Sequence, residues 1–269
     1  MRKTTAQKVS YRGIGIHTGE MSSVVIHPGD GRGILFYVNG VEIPALLSHK
    51  IADARCTVLG SDNMIVMTVE HLLATLYAFE IDDCIIEMCS GRELPIGDGS
   101  ALHWCALLHE AGQNVTEGIS AETPVRNSLV YNDDRVTITA QPDDKFCVDF
   151  LFDGTQFNYE QQEIAFTVTP DVFEKEIAPA RTFGFWQEIE QLRAQGLAAG
   201  GSFENALVIK DGLPYNTEYR MPKEPVRHKV LDFIGDIALI GKRVRGSFRA
   251  ERSGHYHNNR FAVQLSKEL

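Results

Sequence analysis

The stretch Arg227-His228-Lys229-Val230-Leu231-Asp232-Phe233-Ile234-Gly235-Asp236 constrains this chain more than any other. It reads as a helix opened near Pro225, a residue suited to a first helical position. His228, Asp232 and Asp236 then stand four residues apart. At about 100° per residue each lies roughly 40° around from the last, so the three project along one face. An imidazole and a carboxylate at that spacing can reach one small cation from a single rigid helix, as the two histidines of an H-E-x-x-H helix do. Taken alone, the same pattern also describes a solvated helix face. Two further segments offer the partners that a metal site needs.

In Thr68-Val69-Glu70-His71-Leu72-Leu73-Ala74-Thr75-Leu76, Thr68 is placed as an N-cap, which sets Glu70 and His71 in the first helical turn. A histidine there supplies a third protein ligand, and the glutamate before it puts a carboxylate beside the metal. Three protein ligands with the fourth position left to water is the outline of a catalytic zinc site. The plainer readings are an acid favoured by the helix dipole and a hydrogen-bonded, half-buried imidazole. In Ser253-Gly254-His255-Tyr256-His257-Asn258-Asn259, glycine and the Asn-Asn pair read as a tight turn presenting an imidazole at a loop end. His255 and His257 compete for that role, and position alone does not choose between them.

The chain's 269 residues suit one large or two medium domains with a substantial core. A 43% hydrophobic and 23% charged composition is that of a soluble globular protein. Lys+Arg of 26 against Asp+Glu of 36 gives −10, which argues against a nucleic-acid partner, so an anionic substrate has to meet a local basic cluster. The five cysteines (Cys56, Cys84, Cys89, Cys105, Cys147) are odd in number and form no C-x-x-C pair. That fits a reducing cytoplasm better than a disulfide framework or a cysteine-rich zinc site. The basic N-terminus lacks an apolar core of signal-peptide length, and no run approaches the roughly 18 apolar residues of a spanning helix.

Mixed α and β elements follow along the chain. Gly15-Ile16-His17-Thr18-Gly19 reads as a turn between strands, the second being Ser23–His27, with further strands at Gly33–Val38 and Cys84–Met88. Helices are expected over Glu70–Phe79 and Ser100–Ala111. The pattern resets around Glu122-Thr123-Pro124, dividing the chain into 1–123 and 124–269. Alternating strands follow at Arg135–Ala140 and Phe146–Phe150, then a helix over about Glu188–Gln195 and a corner at Gly200-Gly201. No residue-level repeat is strong enough to establish duplication. His71 comes from the first half and His228, Asp232 and His255 from the second, so a shared site sits at their junction, where ligand pockets are common.

Val69-Glu70-His71-Leu72, Pro95-Ile96-Gly97-Asp98-Gly99-Ser100-Ala101, Ala180-Arg181-Thr182-Phe183-Gly184-Phe185, Gly200-Gly201-Ser202, Arg227-His228-Lys229 through Gly235-Asp236, and Gly254-His255 with Asn258-Asn259 occur in an order that resembles one family. It is the UDP-3-O-acyl-N-acetylglucosamine deacetylase family of lipid A biosynthesis, and Gly13–Gly19 is similar to its N-terminal region. The resemblance covers essentially the whole chain. It implies an α+β fold: two similar α/β domains in a two-layer sandwich, with helices packed between the two sheets. It implies one Zn²⁺ per chain held by His71, His228 and Asp232, with Glu70 as general base on the attacking water. Thr182 is implied to stabilise the oxyanion, and His255 to act as cationic general acid with Asp236 holding it charged. An amine leaves poorly unless protonated, so the chemistry needs both an acid and a base. The resemblance settles His255 over His257, because the family histidine directly follows the glycine.

The substrate so implied is a UDP-linked acylated amino sugar, taken by a monomer. Lys229 resembles the family lysine near the sugar and its phosphates, and His17 and Phe183 match positions near the nucleotide and sugar. The segment Phe185–Phe203, with Trp186, Ile189, Leu192, Leu197, Ala198, Ala199 and Ser202, is implied to form the acyl-chain passage. Gly97 stands where a bulkier residue is usual, and Trp186 is large for a passage wall, which suggests a shorter acyl chain. A zinc amidase with another substrate and a non-catalytic binding relative are the rival readings. Glu70 argues against the second, since a structural zinc needs no base.

Overall fold

The computed structural model describes residues 1–118, 120, 122–215 and 217–269. Two five-stranded sheets carry the fold. The first is made of Val9–Ile14, Met21–Pro28, Ile34–Val38, Val41–Pro44 and Cys84–Ser90. Its last strand inserts between the second and third, antiparallel to the former and parallel to the latter. The second sheet is made of Leu129–Asp133, Val136–Gln141, Phe146–Asp153, Gln161–Thr167 and Arg243–Glu251, and its last strand inserts in the same place with the same senses. Glu122–Pro124 adds a short parallel strand beside Arg243–Arg245.

The duplication extends to the helices. Between the fourth and fifth strands each half carries a three-stranded insert and then a helix: Glu70–Ala78 in the first half, Glu224–Ala238 in the second. After the fifth strand each half carries another helix, Leu102–Ala111 and His255–Ser266. The two halves are similar α/β units, as the resemblance implies.

Period-two patterning explains which sheet face is covered. Along Met21–Pro28 the residues Ser22, Val24 and Ile26 turn inward, and along Arg243–Glu251 it is Val244, Gly246, Phe248 and Ala250. The Glu70 and His228 helices lie against these faces in one continuous core that includes Phe36, Leu72, Leu73, Phe150, Phe233 and Phe248. Each such side chain contributes about 1.5–3 kcal/mol when fully buried. The two helices meet closely at Gly235, where any Cβ would run into the backbone of Glu70. That close approach brings together chemistry from residues far apart in the chain.

The structure corrects several local expectations. Thr68 is not an N-cap: it lies in the left-handed region at φ 58°, and its hydroxyl donates to Glu93 instead. The Ser253–Asn259 turn is the entry to a 12-residue helix that begins at His255. The helix expected from Ser100 starts at Leu102, because the Ser100 hydroxyl donates to Asp98. The helix expected from Glu188 starts at Trp186.

Candidate metal centre and substrate cavity

The His228 helix is buried on nearly every side, so its stripe of His228, Asp232 and Asp236 is not a solvated face. Its start is fixed by Glu224, a buried carboxylate that accepts from Arg181 N, Nε and Nη2 at 3.0, 2.7 and 3.0 Å and from Arg220 N at 2.8 Å. The adjacent Ala180 carbonyl accepts from His228 Nδ1 at 3.0 Å. That bond places the His228 proton on Nδ1 and turns the Nε2 lone pair inward, the arrangement metal-binding imidazoles generally adopt.

Inward of His228 lie Asp232, one turn along, and His71 from the other half. His228 Nε2 is 3.4 Å and His71 Nε2 3.8 Å from Asp232 Oδ1. One donor atom from each of the three falls within 4.8 Å of the others. Burial drives the His71 cation well below the ordinary histidine range, with His228 adding repulsion. Burial also lowers His228, against the pull of Asp232. Burial disfavours the Asp232 carboxylate too, but Lys229, His228 and His255 outweigh it and hold the group below the usual carboxylate range. Two neutral imidazoles and one carboxylate converge, in the protonation states ligation requires. His71 Nδ1 is buried without a hydrogen-bond partner among the described residues. The donor chemistry fits a single borderline divalent cation.

Beside this group, Glu70 and His255 face each other, Glu70 Oε1 standing 3.7 Å from His255 Nε2. Glu70 Oε2 accepts from the Thr57 N–H at 3.0 Å. Burial raises the Glu70 carboxyl to about 7, partly opposed by His255 and reinforced by Asp232 and Asp236. Burial opposes the His255 cation, but Asp236, Asp232 and Glu70 together push it up to about 10. Asp236 accepts from His255 Nδ1 at 2.9 Å, from Asn258 Nδ2 at 2.9 Å and from the Thr57 hydroxyl at 2.6 Å. The result is a carboxyl near neutrality opposite an imidazolium.

These groups form part of the wall of a cavity of about 620 Å³. Of the residues expected to bind metal or substrate or to act in catalysis, His17, Glu70, His71, Thr182, Phe183, Ile189, Ser202, His228, Lys229, Asp232 and His255 line it, while Asp236 lies behind His255. Lys229 Nζ donates to Asp232 Oδ2 at 2.8 Å and sits 5.4 Å from the Phe183 ring. The insert supplies an apolar wall through Ile189, Leu192, Ala198, Phe203, Ala206 and Val208. Leu197 and Ala199 are not in the lining. Trp186 stands in the wall while remaining 40% exposed, and its ring packs 4.8 Å from that of Tyr215. His257 points elsewhere, bonding Tyr131 at 3.2 Å.

Sequence reasoning gave no role to Thr57, Asn258, Asn259, Glu93, Arg181 or Arg55. Arg55 lines the cavity and pairs with Glu188 of the insert at 3.0 Å. The Arg181 and Asn258-Asn259 positions stood inside noted motifs, which was a usable signal; nothing local marks Thr57.

A duplicated α+β fold with a buried His₂Asp donor set beside a carboxyl and an imidazole has the architecture of a hydrolytic metalloenzyme. Residues 2–267 match the family described as UDP-3-O-acyl N-acetylglycosamine deacetylase. Relatives named UDP-3-O-acyl-N-acetylglucosamine deacetylase include one from Syntrophotalea carbinolica, 37% identical across 98% of this chain and 87% of its own. One from Chlamydia felis is 37% identical across 100% of this chain and 98% of its own, and one from Aquifex aeolicus is 38% identical across 100% and 94%. The chain belongs to this family of metalloenzymes. No helix among the described residues is long and apolar enough to cross a membrane.

Proposed function

We propose that this chain removes the N-acetyl group from UDP-3-O-(3-hydroxyacyl)-N-acetylglucosamine, releasing acetate and the free amine, in lipid A biosynthesis. Family membership supports the substrate class. The observation that carries the chemistry is the pairing of Glu70 and His255 beside three buried donors in one cavity. His71, His228 and Asp232 would hold one Zn²⁺, a choice supported by the nitrogen-and-carboxylate donor set. When bound, the ion supplies a Lewis acid that polarises the acetamide carbonyl and acidifies water.

The chain's own residues do the rest. Glu70, raised to about 7, takes a proton from the attacking water as its oxygen bonds the carbonyl carbon. The Thr182 hydroxyl would donate to the developing oxyanion, a role supported by the residue's place in the cavity wall. His255 keeps Nδ1 on Asp236 and gives its Nε2 proton to the amine nitrogen as the C–N bond breaks. The proton that Glu70 took from water then passes to His255 Nε2, 3.7 Å away and so by way of one water, which resets both groups. Lys229, Phe183 and His17 would hold the sugar and its phosphates, and Ile189 and Ser202 the acyl chain.

We further place the boundary between the two units at 123/124, and the enzyme in the cytoplasm as a monomer. The five free cysteines support the compartment. The test is acetate release by zinc-loaded protein, with Glu70→Ala as control. Loss of about two to four orders of magnitude in the variant, with zinc retained, is the expected result. No release by folded, zinc-loaded wild-type protein would overturn the reading.

A further inference from the structure

Glu93 takes no part in the chemistry above, yet it is fully buried, and its partners among the described residues include no lysine or arginine. Its two oxygens accept from four donors. These are the His17 N–H at 2.9 and 3.1 Å, the Thr18 N–H at 2.7 Å, the Thr18 hydroxyl at 2.8 Å and the Thr68 hydroxyl at 2.7 Å. Only a carboxylate has the lone pairs for this; a glutamine has one acceptor oxygen and turns an NH₂ donor toward the other N–H and O–H groups. A buried anion without a cation is costly unless fully hydrogen-bonded, as this one is.

The two segments it joins both lead to the cavity. Thr68 holds a left-handed conformation that β-branched residues rarely adopt, two residues before the Glu70–His71 pair. His17 lines the cavity, and Gly15 is required in its loop because a Cβ there would run into the Glu93 carboxylate. The loop also grips the insert: the Ile16 and His17 carbonyls accept from the N–H groups of Gly200 and Ala199 at 3.0 and 3.1 Å. One buried carboxylate therefore connects the start of the Glu70 helix to the His17 loop, and through it to the corner of the insert.

We propose that Glu93 is a positioning residue, which fixes the separation between His17 and the Glu70–His71 pair so that substrate held by one is presented to the other. This rests on the deacetylase reading, with His17 as a substrate-binding residue.

The test compares zinc-loaded wild type, Glu93→Gln, His17→Ala and the double variant. Glu93→Gln should lower kcat/KM for acetate release on the order of tenfold to a hundredfold, with zinc content unchanged. In the His17→Ala background the same change should cost less than about twofold, since effects transmitted through a shared partner do not add. Amide hydrogen exchange, which needs no activity, should rise at residues 15–19 in Glu93→Gln while residues 70–78 stay protected. Unchanged exchange at 15–19 would overturn the proposal, as would losses that multiply independently in the double variant. If wild type releases no acetate, the deacetylase reading falls, while exchange still decides whether Glu93 anchors the loop. Should Glu93→Gln not fold, Thr18→Val removes one of the four donors and undergoes the same comparison, with a smaller loss expected.

Discussion

Replacing Arg181 by methionine tests how the site's scaffold is held. The Arg181 side chain is 6% exposed and that of Glu224 is not exposed at all, so the pair is a buried ion pair. The substitution removes the Nε and Nη2 donors to Glu224 and those to Thr217 and Glu218, leaving the Arg181 and Arg220 N–H groups in place. Breaking a buried pair from one side costs about 3–5 kcal/mol, because the remaining charge is uncompensated. At roughly 2–4 °C per kcal/mol for a chain of this size, Tm at pH 7 should fall by about 6–20 °C. The pH dependence gives a sharper test. In the intact protein, burial raises the Glu224 carboxyl, but Arg181 and the backbone donors outweigh it and leave it below its ordinary value. A depressed folded value contributes stability that is present above the unfolded carboxyl's value and lost as pH falls through the folded one. Without Arg181, burial prevails and the folded value rises above the unfolded one. The variant's deficit should therefore be largest at neutral pH and shrink toward pH 4–5 as Glu224 protonates. Arg181→Met combined with Glu224→Gln should recover part of the loss at pH 7. Thermal melts give the Tm, and urea unfolding at both pH values gives the free-energy deficits. A Tm within about 2 °C of wild type, or an equal deficit at both pH values, would refute the reasoning.

Other consequences follow from the same geometry. Gly235→Ala should force the two central helices apart, costing about 1–3 kcal/mol and weakening zinc binding in a competitive chelator titration, because His71 moves with the Glu70 helix. Zinc at about 100 times its dissociation constant should stabilise wild type by about 2.7 kcal/mol, read as a higher Tm, while His71→Ala should show little metal dependence. Trp186→Met should shift turnover toward substrates with longer acyl chains by removing bulk from the cavity wall; an unchanged chain-length profile would end that idea.

Much of the site was legible because its signals are local. The His228, Asp232 and Asp236 spacing needs only helical geometry, and the Glu70-His71 pair needs only adjacency. The remainder depends on contacts that spacing cannot report. Thr57 reaches Asp236 across 179 positions, and Glu93 is an ordinary acid until four donors close around it. Asn258 and Asn259 read as turn residues because their side chains commonly compete with the helix backbone. Here both amides instead donate to Asp236, at 2.9 and 3.4 Å, and the helix runs through them. Arg243–Glu251 alternates at every position, with arginine, serine and glutamate outward and Val244, Gly246, Phe248 and Ala250 inward, a period-two signal that was legible but had no place in the strands expected from sequence. The duplication lies in strand order and sense rather than in residue identity, which is why no repeat was visible in the sequence.

That duplication also separates what the fold provides from what the surrounding charges decide. The helix after the fifth strand carries a histidine in its first turn in both halves: His103 in Leu102–Ala111, and His255 in His255–Ser266. Both rings are largely enclosed, yet they are driven in opposite directions. His103 stacks on Tyr11 at 4.7 Å, and burial lowers it to about 4 against the pull of Asp98 and of the Pro95 and Ser100 backbone. His255 meets Asp236, Asp232 and Glu70, and burial is overcome. Two of those three carboxylates project from the His228 helix, and the third comes from the opposite half, carried in by the Gly235 crossing. The first half reproduces the topological position of the imidazole without its charge. The cation that the chemistry needs therefore rests mainly on Asp236 and Asp232 of its own half, with Glu70 adding the smallest of the three pulls across the Gly235 crossing, so a change that separates the central helices should weaken the metal site more than the charge on His255.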